Sequence, residues 1–183
     1  MSITTSVYIA TTLDGFIARE DGSIDWLMEA NTTVPSGEDC GYAEFMSTVD
    51  VLIMGKNTYE KVAEFEPWPY EGRRVVVLTS KDFAFREGPG IRLEKSSEAP
   101  RELLTRLSSK GCRHAYVDGG KVIQSFLSQG LVDRLTLTTI PVLIGQGRSL
   151  FGRMPGDVKL KLTQSKAYEF GFTQSTYLAR SGD

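Results

Sequence analysis

Histidine and cysteine are scarce in this chain. Its 183 residues hold one histidine, His114, and two cysteines, Cys40 and Cys112. A zinc site draws its ligands mainly from those residue types, and one histidine with two scattered thiols does not assemble one, so no metal is expected. A Ser-His-Asp triad would have to use His114, and no Gly-x-Ser-x-Gly elbow exists. His114 starts an apolar strand pattern, where a structural role is expected. The cysteines are far apart and no export signal is visible at Met1-Ser2-Ile3-Thr4-Thr5-Ser6, so free thiols are expected rather than a disulfide. A net charge of −2 offers no basic balance for nucleic acid. No apolar run approaches the roughly 20 residues of a membrane helix, and the expected compartment is cytoplasmic. Two nucleotide fingerprints are also missing. Gly145-Gln146-Gly147 meets Leu150 where Gly-x-Gly-x-x-Gly needs its third glycine. Asp50 and Ala115 stand where a P-loop before Gly55-Lys56 or Gly120-Lys121 needs its first glycine. These gaps argue against the Rossmann dehydrogenases and P-loop kinases.

What is present is an ordinary globular composition, 40% apolar and 24% charged, enough for one domain over residues 1–183 with a sizeable core. Ser6 to Ala10 reads as a first strand, followed by Thr11 to Ala18 and a polar turn. Asp25 to Gly37, with Pro35, reads as loop. Glu38 to Val49 places Tyr42, Phe45, Met46 and Val49 at helical spacing. Val51 to Met54 and Arg74 to Thr79 are continuous apolar runs, the mark of parallel strands covered on both faces. Thr58 to Phe65 is a short helix and Pro67-Trp68-Pro69 a loop. Ile91 to Leu93 is a short strand. Ala99 to Gly111 is a helix with a Leu103, Leu104, Leu107 stripe. His114 to Val117 is a strand, Lys121 to Gln129 a helix, and Arg134 to Ile140 a strand before Pro141. Lys159 to Lys166 and Phe172 to Leu178 alternate as an antiparallel hairpin would. The class is α/β: a mainly parallel twisted sheet, helices on both faces, and an antiparallel C-terminal hairpin.

Two strand-to-helix junctions stand out, Val51-Leu52-Ile53-Met54-Gly55-Lys56-Asn57-Thr58 and Tyr116-Val117-Asp118-Gly119-Gly120-Lys121-Val122-Ile123. A helix start offers unpaired N–H groups and a positive dipole end, and glycine lets a phosphate approach the backbone. Two such ends suit the two ends of a long phosphorylated cofactor. Glycines that merely end parallel strands would look the same.

These junctions, with Thr12-Leu13-Asp14-Gly15-Phe16-Ile17-Ala18, Val76-Val77-Leu78-Thr79-Ser80 and Pro141-Val142-Leu143-Ile144-Gly145-Gln146-Gly147, occur in the order found in the dihydrofolate reductase superfamily. The chain most resembles the branch of the riboflavin-biosynthesis reductase domain and its stand-alone relatives. The resemblance implies the three-layer fold of that superfamily and NADPH as hydride donor. It implies that Gly55, Lys56, Asn57 and Thr58 hold phosphates, with Lys56 near the adenosine 2′-phosphate unless it is simply a solvated lysine. Leu78, Thr79 and Ser80 would flank the adenosine. Gly119, Gly120, Lys121, Val122 and Ile123 would cover the pyrophosphate, and Ala10, Gly15 and Ile17 would pack against the nicotinamide.

Hydride transfer to an imine needs a proton source. The resemblance, counted back from Gly55, puts the acid at Asp39, with Glu38 and Glu44 as neighbours; an acid there also caps a helix start. Asp118 replaces a glutamate that faces the ribose-phosphate substrate in the riboflavin-pathway reductases, or else caps the next helix as an Asx turn. Asp14 in its Leu-Asp-Gly turn is expected to be structural. Trp26 stands in for an aromatic substrate contact or packs in the core. Two departures are expected: Lys61-Val62-Ala63-Glu64-Phe65-Glu66-Pro67-Trp68 stands in place of the Asp-Asp-Pro motif with its nearby arginine, and the residues 1–183 are read as a reductase domain without the deaminase domain that often precedes it. The expected reaction is that of a 5-amino-6-(5-phosphoribosylamino)uracil reductase, with a dihydrofolate or pterin reductase, or a catalytically inactive nucleotide-binding protein, as alternatives. A homodimer through the C-terminal strands is expected, because Phe170, Phe172, Tyr177 and Leu178 look more apolar than one packed face needs.

Overall fold

The computed structural model describes residues 3–179. The strands are β1 (Thr4–Thr12), β2 (Phe16–Ala18), β3 (Val51–Gly55), β4 (Arg74–Leu78), β5 (Arg92–Ser96), β6 (His114–Asp118), β7 (Arg134–Ile140), β8 (Arg148–Ser149), β9 (Leu160–Ala167) and β10 (Thr173–Ala179). The helices are α1 (Asp25–Asn31), α2 (Tyr42–Ser47), α3 (Lys56–Val62), α4 (Pro100–Ser109) and α5 (Gly120–Ser128). Eight strands form one sheet in the order β5-β4-β3-β6-β1-β7-β10-β9, and β2 pairs with β8 separately. Pairing is parallel from β5 through β7. In this sheet β10 runs against both its neighbours, β7 and β9, and the separate β2–β8 pair is antiparallel too.

Alternation along each central strand builds the three layers. Val51 and Ile53 of β3, Val76 of β4, and Ala115 and Val117 of β6 face one core, closed by Leu103 and Leu107 of α4 and Ile123 and Phe126 of α5. Leu52, Met54, Val75, Val77 and Tyr116 face the other, closed by Tyr59 and Val62 of α3 and edged by Tyr42, Phe45 and Met46 of α2. Side chains two apart on a strand share a face, so each run must be apolar throughout to bury both. A third cluster, Trp26, Ile140, Tyr168 and Phe172, lies at the carboxyl end of β7.

Two expectations change. Residues 25–31, read as loop, form α1, because burying Trp26 against Ile140 and Phe172 outweighs the turn signals of Pro35 and Gly37. The helix expected from Glu38 begins only at Tyr42: Gly41 is left-handed at φ 84°, and the Asp39 carboxylate turns the chain before it by accepting the Gly41 amide at 2.8 Å. The C-terminal hairpin forms as expected. Its aromatics are mostly consumed internally, however: Phe172 is buried, Phe170 packs beside it, and Tyr177 packs on the first core. His114 is structural, with Nε2 2.7 Å from Ser6 Oγ, and both cysteines are free.

Candidate active site

The carboxyl ends of β3, β4 and β6 lie level with one another. Gly55 pairs with Leu78, and Met54 with Asp118. In an open α/β sheet this edge, where helices depart in different directions, is where ligands bind. The two glycine junctions meet here. A Cβ on Gly119, whose φ is +87°, would collide with Thr58 Oγ1 of α3. One on Gly120 would stand 2.8 Å from Ile17 Cδ1 of β2, and one on Gly55 3.3 Å from Val122 Cγ2 of α5. Gly55, Thr58, Gly119, Gly120, Val122 and Ile17 therefore converge from four segments, and the side chains of Thr58, Ile17 and Val122 pack directly on the three glycines.

Of the other nucleotide candidates, Asn57, Ser80 and Lys121 are exposed and Thr79 is half-buried beside them. Lys56 Nζ contacts Glu60 Oε1 at 2.6 Å, a partly exposed i,i+4 pair of small worth. Ile123 departs from expectation: its side chain lies wholly in the core, and its amide donates to Gly119 O at 2.9 Å. It braces the α5 start and has no group left for a cofactor. Gly15 is left-handed at φ +84° and its carbonyl accepts the Leu150 amide at 3.0 Å. Asp14 pins the same turn, since its Oδ2 accepts the amides of Ile144 at 3.0 Å and Gly145 at 2.8 Å. The loop after β1 is thereby tied to the loop after β7. Ala10 packs on the Trp26 cluster.

The carboxylates separate sharply. Asp39 is exposed, and its oxygens accept the amides of Gly41 and Ala43, each at 2.8 Å. The Ala43 bond, then the Gly41 bond, hold its carboxyl below the usual range. It caps α2 and carries no proton near neutral pH, which weighs against the acid role expected of it. Glu38 Oε1 accepts the Cys40 amide at 2.6 Å, and Glu44 is exposed on α2.

Asp118 is the opposite case. It ends β6 at the dense centre of the edge, where burial pushes its carboxyl up to about 6, opposed only by the Gly119 amide, which donates to Oδ1 at 2.8 Å. No cation acts on it. Its charge is felt by three tyrosines, Tyr42, Tyr70 and Tyr116. The hydroxyls of Tyr42 and Tyr70 bond to each other, and burial followed by the Asp118 charge raises both, Tyr42 to about 12. Tyr116 shares that environment and donates to Tyr8 O at 2.9 Å. The Tyr8 ring stacks on Phe45 at 4.7 Å. Its hydroxyl donates to Cys40 O and accepts from Gln174 Nε2, which lies 3.0 Å away. Sequence reading missed this tyrosine set and Gln174. Tyr42 looked like one more apolar residue on a helix stripe, and no local pattern links residues from β1, β6, β10, α2 and the loop before β4. Trp26 belongs to the core, 3% exposed, its Nε1 buried without a partner among the described residues. Two shallow hollows beside α4, around Arg101, Thr105 and Ser109, lie away from these strand ends.

The RibD C-terminal domain family model matches residues 4–173. The chain belongs to this family. Among curated proteins, the RibD-type domain is 35% identical to the uncharacterised protein YwjB of Bacillus subtilis, over 90% of this chain and 91% of that one. It is 28% identical to the riboflavin biosynthesis protein RibD of Corynebacterium ammoniagenes, over 77% of this chain but 44% of that protein. Among solved structures, a protein of Shewanella sp. PV-4 provisionally named for riboflavin biosynthesis superposes with a TM-score of 0.89 at 33% identity, covering 97% of this chain and 99% of that one. The dihydrofolate reductase of Enterococcus faecalis, complexed with NADP(H), shares the fold at a TM-score of 0.63 and 18% identity, covering 97% of each chain. The RibD-type fold expected from the ordered motifs is therefore shown, and the family is that of a riboflavin-pathway reductase domain. No helix among the described residues is long and apolar enough to cross a membrane.

Proposed function

We propose that this chain transfers a hydride from NADPH to a small nitrogen heterocycle, an aminouracil carrying a sugar-derived chain, and that Asp118 supplies the proton. The observation that carries this is the half-buried carboxyl of Asp118, raised by its burial at the end of β6 and bonded to Gly119 at the glycine junction. Two strand-to-helix junctions meeting at Gly55 and at Gly119 and Gly120 suit a dinucleotide, with Asn57, Thr58, Thr79, Ser80 and Lys121 about them for the phosphates and adenosine. Lys56 would turn from Glu60 to the 2′-phosphate. Gly15, Ile17 and Ala10 would border the nicotinamide.

When bound, NADPH supplies the hydride. In the ring-opened imine form of the sugar-derived chain, the hydride would go to the carbon of the C=N bond; the electron pair would move to nitrogen, which would take the Asp118 proton, leaving an amine and a carboxylate that reprotonates from water. With its carboxyl near 6, roughly a tenth of Asp118 is protonated at pH 7, a usable supply for general acid catalysis. Asp39, held ionised by two amides, serves this chemistry less well. The free outer edge of β9 gives a second copy a strand to pair with, and we take the homodimer as part of the reading.

The test is loss of reduced-nicotinamide absorbance on adding the aminouracil substrate, with product identified by mass. Steady turnover supports the reading. Tight NADPH binding without turnover on an aminouracil or a dihydropterin would instead mark a nucleotide-binding protein.

A further inference from the structure

We infer that Gln124 is a positioning residue: by holding the backbone of Ser149 and Leu150 it fixes the place of Ile17 over the start of α5. This deepens the reading above, in which Ile17 borders the nicotinamide, and rests on it.

β2 and β8 have three and two residues and pair apart from the eight-stranded sheet. So short a pair is marginal alone in water. Its own bonds join two loops to each other. Phe16 pairs with Ser149 and Ala18 with Arg148. The Leu150 amide donates to Gly15 O at 3.0 Å, and Arg148 Nε to Glu20 O at 3.1 Å. These bonds make the two loops one body and leave open what fastens that body to α5.

Two fastenings are present. The Leu150 side chain is wholly buried in the first core. Burial of this kind sets depth but not direction. Direction comes from Gln124, whose Nε2 donates to Ser149 O at 3.0 Å and Leu150 O at 3.2 Å. An amide nitrogen has two hydrogens, and two carbonyls take them. Gln124 stands four residues after Gly120, on the same face of α5. Above Gly120 lie the groups it controls: a Cβ there would be 2.8 Å from Ile17 Cδ1 and 3.8 Å from Ser149 O.

Gly152 gives a second, separate sign of this link. Its backbone is not left-handed, so conformation does not demand glycine. A Cβ at 152 would instead stand 2.6 Å from Gln124 Oε1. A side chain there would push Gln124 off its two carbonyls.

The test compares the full chain with Gln124→Ala, Gln124→Glu, Gly152→Ala and the Gln124→Ala/Gly152→Ala double variant. Gln124→Glu keeps the shape and loses both donors; Gly152→Ala leaves α5 untouched. Without cofactor, hydrogen exchange at residues 15–18 and 148–150 should quicken about tenfold in each single variant, and no further in the double. Exchange in β3 and β4 should stay as in wild type, with melting within a few degrees. Fluorescence titration should show NADPH bound at least about fivefold more weakly in each. Unchanged local exchange in Gln124→Glu overturns the inference, as do additive effects in the double variant. Quickened local exchange at wild-type NADPH affinity also overturns it. If wild type binds no NADPH, the reductase reading fails, and the exchange rates alone decide the link from Gln124 to Ile17.

Discussion

Asp118 Oδ1 accepts the amide of Gly119 at 2.8 Å, so the residue that ends β6 is tied to the glycine that opens the α5 turn. On the proposed reading, the proton source and the cofactor site are thereby one structural unit. The bond leaves Oδ2 as the oxygen free to carry the proton.

Asp118→Asn separates catalysis from stability. Asn keeps an oxygen for the Gly119 amide but has no proton to give, so turnover should fall about 100- to 10,000-fold. Stability should move the other way. The folded carboxyl, near 6, lies above its ordinary value of 3.8; its favourable contribution is complete below 3.8 and is lost as pH rises through about 6. At pH 8 the variant should gain up to about 2–3 kcal/mol over wild type, and near pH 3 almost nothing. In wild type, turnover should decline as pH rises through about 6. Melting curves at the two pH values and a pH–rate profile check this.

Asp39→Asn tests the other carboxylate. Removing the charge that gathers the Gly41 and Ala43 amides should lower stability by about 1 kcal/mol, with turnover nearly intact. Because its folded carboxyl lies below the ordinary value, wild type should lose this contribution as pH falls through that range. A large fall in turnover at unchanged NADPH affinity would restore Asp39 as the acid.

Gly119 and Gly120 should differ. Gly119→Ala must accept φ +87° and displace Thr58, so its melting temperature should drop by several degrees. Gly120→Ala meets the flexible end of Ile17 and should fold, yet bind NADPH at least about tenfold more weakly, because it displaces the Ile17 side chain that would border the nicotinamide and crowds the α5 start. Melting and fluorescence titration distinguish the two.

Lys56→Met should cost about 1–2 kcal/mol in NADPH affinity and leave NADH unchanged. Glu60→Gln, which frees Lys56 from its 2.6 Å partner, should strengthen NADPH slightly. Equal affinity of wild type for the two cofactors would remove the 2′-phosphate role. For the assembly, light scattering should return about 40 kDa, twice the 20.2 kDa chain.

The fold was legible where local pattern and burial agree. Val51 to Met54 and Arg74 to Leu78 are apolar throughout because both faces are covered, and the Leu103, Leu104, Leu107 stripe has one buried side. α1 was not legible, since the contacts holding Trp26 come from Ile140 and Phe172, more than a hundred residues away. The glycine junctions marked the site's position. What separates the two carboxylates was hidden: Asp39 and Asp118 are the same side chain, told apart by the two amides that hold exposed Asp39 low and the burial that raises Asp118. The homodimer argument from C-terminal aromatics weakened for a similar reason, because Phe170, Phe172 and Tyr177 find partners within the chain.

The most direct test of the account is a single turnover with NADPH deuterated at the transferred position of C4 and 5-amino-6-(5-phosphoribosylamino)uracil, read by mass spectrometry and proton NMR. The account predicts one deuteron per product, on the carbon of the former C=N bond, with a rate that collapses in Asp118→Asn. Cofactor bound but unoxidised, or a product free of deuterium, would contradict it.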